Sequence, residues 1–134
     1  MVKKILLSLA AAATLAAPAS AAPRLHGEAK LAKLLEGRTA GAPVDCIDLS
    51  RVYSTQIVDG TAIVYDSGRT LYVNRPRGGA ESLDRGDTMV LKPFDHRLCR
   101  IDTVQMFEQG ARFFKGSVFL GDFVPYTKDE RASR

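Results

Sequence analysis

The chain has 134 residues, 19 Lys and Arg against 15 Asp and Glu, and a formal charge of +4. That length suits one domain with a modest core. Half of the charge sits on Lys3 and Lys4, leaving about +2 on the rest, which argues against nucleic acid as the main partner.

Met1 to Ala21 reads as a secretory signal peptide. Lys3 and Lys4 form a positive start, Ile5 to Ala17 an apolar core, and Ala19-Ser20-Ala21 a small-x-small cleavage site. A transmembrane anchor would need about 20 consecutive apolar residues, and Pro18 would end a helix here. Cutting after Ala21 keeps both Pro18 and Pro23 away from the first mature position, where a missing N–H hinders a peptidase. No cysteine lies at the junction to carry a lipid. The mature chain is therefore expected to be periplasmic or secreted, with no stable membrane insertion after cleavage.

Residues 22–43 are expected to form an N-terminal helix and a linker. Leu31, Leu34 and Leu35 follow helical spacing within Glu28 to Glu36, and Gly37 stands where a C-cap glycine belongs. Arg38 to Pro43 is small and linker-like.

From residue 44 to 127 a disulfide-linked β domain is expected. Cys46 and Cys99 are the only cysteines, and in an oxidising compartment they make one structural disulfide. Free thiols are the alternative. A metal site recruiting His96 would be an incomplete ligand set, so neither a metal nor any other cofactor is expected.

Thr55 to Val58 and Thr61 to Tyr65 flank Asp59-Gly60, a dipeptide that favours a tight hairpin turn. Asp66-Ser67-Gly68-Arg69 makes a second turn before Thr70 to Arg75. The result is a β-meander.

Asn74 to Asp87 reads as a loop with a helical turn at Ala80 to Leu83, followed by a short strand, Thr88 to Leu91, ended by Pro93. Cys99 to Phe107 is expected as one longer strand. Phe113-Phe114 and Ser117 to Val124 suggest a final hairpin or bent strand, bulged near Gly116 or Gly121. The phenylalanines are assigned to the core, and residues 128–134 to a disordered tail. The fold class is mainly β: a small antiparallel barrel or an orthogonal sandwich with a meander, plus a short N-terminal helix.

Candidate chemistry is sparse. Arg75-Pro76-Arg77-Gly78-Gly79 could present guanidinium forks and open N–H groups to an anion, so Arg75, Arg77, Gly78 and Gly79 form the candidate ligand site. The plain reading of that stretch is a crossover loop. Arg85-Gly86-Asp87 is ordinary turn material before a strand. Asp95-His96 could act as an oriented base, but no nucleophile context accompanies it, and no catalytic residue is assigned. Tyr65 and Tyr72 lie on neighbouring strands and are expected to share a face, which would be a binding platform if exposed.

Pro43-Val44-Asp45-Cys46-Ile47-Asp48, the strand Thr70-Leu71-Tyr72-Val73-Asn74-Arg75-Pro76 and the late Cys99 resemble an uncharacterised family of small exported proteins of Gram-negative bacteria. The resemblance spans Pro43 to Tyr126. It implies export and the Cys46–Cys99 disulfide, and transfers no catalytic residue. The expected function is non-enzymatic, an envelope-associated binding or structural protein whose partner is an anionic envelope component or another envelope protein. A small periplasmic hydrolase, or an accessory subunit of an envelope enzyme, is the alternative. An inhibitor presenting the Arg75 to Gly79 loop is a third.

Overall fold

The computed structural model describes residues 22–130, so the expected signal segment and residues 131–134 lie outside the described residues. In chain order the elements are α1 (Ala22–Leu34), β1 (Arg38–Ala40), β2 (Cys46–Asp48), β3 (Ser54–Val58), β4 (Ala62–Asp66), β5 (Thr70–Asn74), β6 (Thr88–Val90), β7 (Arg97–Cys99), β8 (Thr103–Phe107), β9 (Phe114–Phe119) and β10 (Phe123–Lys128). Short 3-10 turns occupy Leu49–Arg51 and Ala80–Ser82.

The strands make a five-stranded antiparallel sheet in the order β1-β10-β5-β4-β3, a two-stranded β2-β7 ladder and a three-stranded β6-β8-β9 sheet. The architecture is sandwich-like rather than a closed barrel. The meander forms as the sequence predicts, with Gly60 and Gly68 taking the positive φ that its two turns require.

β4 explains the layering. Ala62, Ile63, Val64 and Tyr65 are all buried, so this strand needs cover on both faces. One face, with Val58, Ala62, Val64, Leu71 and Val73, packs beneath Leu31 of α1. Ile57, Ile63, Tyr65 and Phe123 point the other way. They meet Val104, Met106 and Val118 of the three-stranded sheet and Ile47 and Leu98 of the two-stranded ladder. Each large apolar side chain buried this way contributes roughly 1.5–3 kcal/mol.

Several expectations need correction. Arg38–Ala40 is no linker; it forms an edge strand on Tyr126 to Lys128 of β10. Lys128, assigned to the tail, ends that strand, and the Asp129 N–H donates to the Gly37 carbonyl. The helix starts at Ala22, earlier than its leucine spacing shows, and Gly37 follows it with φ 70°.

The single strand expected over Cys99 to Phe107 is two strands in different sheets. Asp102 breaks it, because its carboxylate accepts from the Cys99 N–H at 2.7 Å and closes a turn. Ser117 to Val124 is likewise split, between β9 and β10. There the buried Asn74 amide donates to the Gly121 carbonyl at 2.7 Å and accepts from the Gly121 N–H at 3.0 Å. Gly121 tolerates this approach because a Cβ on it would stand 2.4 Å from the Arg75 carbonyl oxygen.

The phenylalanines also divide. Phe123 is in the core, whereas Phe113, Phe114 and Phe119 are exposed. Val118 takes the inward position, so Phe119 faces out. A register shift opposite Met106 and Phe107 then turns Phe114 outward, where its ring meets that of Phe107 edge-on.

Cys46 and Cys99 are directly opposed on β2 and β7 and form the expected disulfide across a separation of 53 residues. Two predictions follow from this core. Replacing both cysteines by serine should lower unfolding free energy by about 4 kcal/mol, the chain-entropy value for such a loop, as read by urea titration. The Tyr65 hydroxyl is buried without a hydrogen-bond partner among the described residues, and burial pushes its pKa upward. Tyr65→Phe should therefore leave stability unchanged or raise it by up to about 1 kcal/mol; a comparable loss would show that the hydroxyl is bonded in solution.

Candidate functional site

An open cleft of about 580 Å³ lies between the β2 segment and β5. It exists because the β2-β7 ladder covers only part of the inner face of the five-stranded sheet. Ile47 and the half-buried Tyr72 supply its apolar lining, beside the Cys46 end of the disulfide. Thr70 and Ser67 bring hydroxyls from β5 and the β4–β5 turn, and Asp48 and Arg51 bring opposite charges from the other wall.

Asp48 is held in place by its role in the chain. It caps the Leu49–Arg51 turn, accepting from the Ser50 hydroxyl at 2.6 Å and the Ser50 N–H at 2.9 Å. These two bonds hold its carboxyl below the usual range, with smaller help from His96 and Arg51. The Arg51 side chain is 83% exposed and touches Asp48 only loosely, at 3.7 Å. Its donors therefore remain accessible.

Tyr53 stands at the rim with 82% of its surface exposed. Its ring leans on Gly68, where a Cβ would lie 3.4 Å from the ring edge. Its N–H donates to the Asp66 carbonyl at 2.8 Å. An aromatic ring is thus fixed at its base and left open to solvent.

The Arg75 to Gly79 loop is used differently from the anion site expected of it. The Arg75 guanidinium forks onto the Glu28 carboxylate of α1, with Nη2 to Oε2 at 3.1 Å, so it links helix to sheet. The Arg77 N–H donates to the Phe119 carbonyl, and the Gly78 carbonyl accepts from the Phe119 N–H. Gly79 has φ 78°, and a Cβ there would lie 2.0 Å from the Ser117 carbonyl oxygen. These glycines let the loop seat on β9. Among the four residues, Arg77 presents an exposed guanidinium for which no ion pair is seen among the described residues.

The other motifs are also engaged. Asp95 accepts from the Arg97 N–H at 2.7 Å and its guanidinium, so its carboxylate serves Arg97, while His96 is exposed and its carbonyl accepts from the Leu49 N–H. In Arg85-Gly86-Asp87, Arg85 turns to Asp59 and Asp87 pairs with Lys115 at 2.6 Å. Tyr65 and Tyr72 do share a face, but it is the inner one: Tyr65 is buried and only Tyr72 reaches the cleft. Among the described residues no group of three or more His, Cys, Asp or Glu could hold a metal ion, and no helix is long and apolar enough to cross a membrane.

Sequence reasoning missed the cleft. Its polar residues come from a 3-10 turn, a bridging residue, a tight turn and a strand start, which no spacing rule groups. The one signal was Tyr53, a tyrosine placed just before the meander next to Arg51.

The Glu28–Arg75 pair generates a pH prediction. The Arg75 hydrogen bond and charge hold the Glu28 carboxyl below the usual carboxylate range. A depressed carboxylate contributes stability above its unfolded pKa and loses it as pH falls through the folded pKa. Glu28→Gln should therefore cost about 0.2–1 kcal/mol at neutral pH, the range for exposed pairs, and in thermal melts the difference from wild type should shrink and disappear as acid protonates Glu28 in the folded protein.

Comparisons with protein-family models, with curated proteins and with solved structures found no match for this chain.

Proposed function

We propose that this is an exported, non-enzymatic binding protein of the bacterial envelope, working in the periplasm or outside the cell, with the Tyr53–Tyr72 cleft as its ligand site. The N-terminal pattern of Lys3, Lys4, an apolar core and Ala19-Ser20-Ala21 supports the address. The disulfide across β2 and β7 agrees with an oxidising compartment.

The observation that carries the binding reading is the exposed, anchored Tyr53 ring beside a cleft of about 580 Å³. That volume falls within the roughly 300–1,000 Å³ of small-ligand sites. An aromatic side chain at 82% exposure leaves a large apolar surface in water, which a ligand would cover. Arg77 supplies a second, purely electrostatic contact for an anionic envelope component on a different part of the surface.

A small hydrolase or accessory subunit is the second reading. It rests on His96, brought beside the cleft wall by the bond from the Leu49 N–H to its carbonyl at 2.8 Å. A hydrolytic rate that disappears in His96→Ala while the fold is retained would favour it.

The binding reading is tested by passing native periplasmic extract over immobilised mature protein and identifying eluted components by mass spectrometry. Wild type and the Arg75→Ala/Arg77→Ala variant should retain the same ligand, and Arg51→Ala/Tyr53→Ala should lose it with its circular dichroism unchanged. Equal retention by wild type and both variants, or loss only in the Arg75 and Arg77 variant, would overturn the assignment to the cleft.

A further inference from the structure

We infer that the cleft takes a neutral oligosaccharide, with a pyranose ring seated on Tyr53 and its hydroxyls bonded along the wall. The inference rests on the cleft being the ligand site and adds the chemistry of the occupant.

A pyranose is amphipathic. One face presents polarised C–H bonds that pack on an aromatic ring, and its rim carries hydroxyls that each donate and accept. Tyr53 offers a matching ring, backed by Gly68 and open on the side away from it. Ser67 and Thr70 offer hydroxyls that act as donor or acceptor. Asp48 accepts only, and Arg51 donates through a planar fork, so together they match adjacent sugar hydroxyls.

The charges argue against an anion as the cleft's occupant. Arg51 is balanced by Asp48, whose carboxyl is kept ionised by the two bonds from Ser50. An incoming phosphate or sulfate would meet attraction and repulsion at nearly the same distance. Strand geometry argues against an extended peptide held by main-chain pairing. β5, along one side of the cleft, is already hydrogen-bonded to β4 on one edge and β10 on the other. That side therefore offers side chains rather than a free strand edge. Across from it β2, in a two-stranded ladder with β7, is only three residues long, too short to hold a peptide by main-chain pairing.

A cleft open to solvent suits an internal segment of a chain more than a single enclosed sugar. Wet, hydroxyl-rich surfaces of this kind bind weakly and gain affinity through several adjacent rings.

The test titrates mature protein with chitohexaose, cellohexaose and maltohexaose, with a sulfated hexasaccharide as the anionic arm, following amide and tyrosine ring shifts by NMR. At least one neutral hexasaccharide should shift Tyr53, Ser67 and Thr70 in a salt-independent manner. Tyr53→Ala should weaken that binding about tenfold or more, and Tyr53→Phe should retain it. Thr70→Val, which keeps side-chain shape, should weaken it without altering the melt.

No saturable shift with any of the three up to about 10 mM would overturn the saccharide assignment. So would binding of the sulfated sugar alone, abolished by salt. If periplasmic capture still depends on Arg51 and Tyr53 in that case, the cleft remains a ligand site and only its occupant is wrong. If capture also fails, the reading of the cleft itself falls.

Discussion

β4 must be covered on both faces, and the rest of the molecule is arranged around that requirement. Ala62 to Tyr65 is a continuous buried run in an interior strand of a five-stranded sheet. Such a strand is stable only when two separate layers exclude water from it. The chain supplies α1 from before the sheet for one face. For the other it supplies β2 together with everything from β6 to β9. Both covers are too small to stand alone, which is why each is tied down by a specific polar or covalent link.

Those links differ in kind because the covers differ. α1 docks through a few leucines and one guanidinium–carboxylate fork, a contact of modest strength at a half-exposed surface. The two-stranded ladder is too short for its hydrogen bonds to hold it, so a disulfide across opposed positions closes it. At the far end the fully satisfied Asn74 amide fixes the turn that passes the chain from β9 to β10. Asn74 is the one buried polar residue among those described, and both ends of its side chain are used.

The cleft is a by-product of the same geometry. The inner face of the large sheet is wider than the ladder that covers it, so Tyr72 and Thr70 are left at an open margin. The segment leading from β2 to β3 then folds over that margin as a 3-10 turn. It carries Asp48 and Arg51 in and leaves Tyr53 at the lip. The proposed ligand site thus lies where packing is incomplete, on segments with freedom to vary while the β4 core stays fixed.

The local elements were readable wherever a residue type forces a backbone state. Asp59-Gly60 and Ser67-Gly68 announced the two turns of the meander. Gly37 announced the end of the helix, and Ala80 to Leu83 its short turn. The pairing of Cys46 with Cys99 followed from there being two cysteines and an expected export signal. The β class and sandwich alternative followed from the short, turn-bounded strands. What failed was long-range. Arg38–Ala40 looked like a linker because its strand character comes from β10, some 90 residues later, and not from its own side chains.

The same reason limits the site. Periodicity shows that Phe114, Phe119, Tyr65 and Tyr72 alternate, but which face is dry depends on which layer packs against it. A bulge at β9 reversed that for Phe114. Arg75 looked available because Glu28, its partner, lies on a helix 47 residues earlier in the chain. The sequence by itself determined the turns, the cysteine pair and the β character. Only the tertiary structure decided which rings are buried, which cations are neutralised and where a cleft remains. Those properties belong to surfaces meeting, and no residue carries them alone.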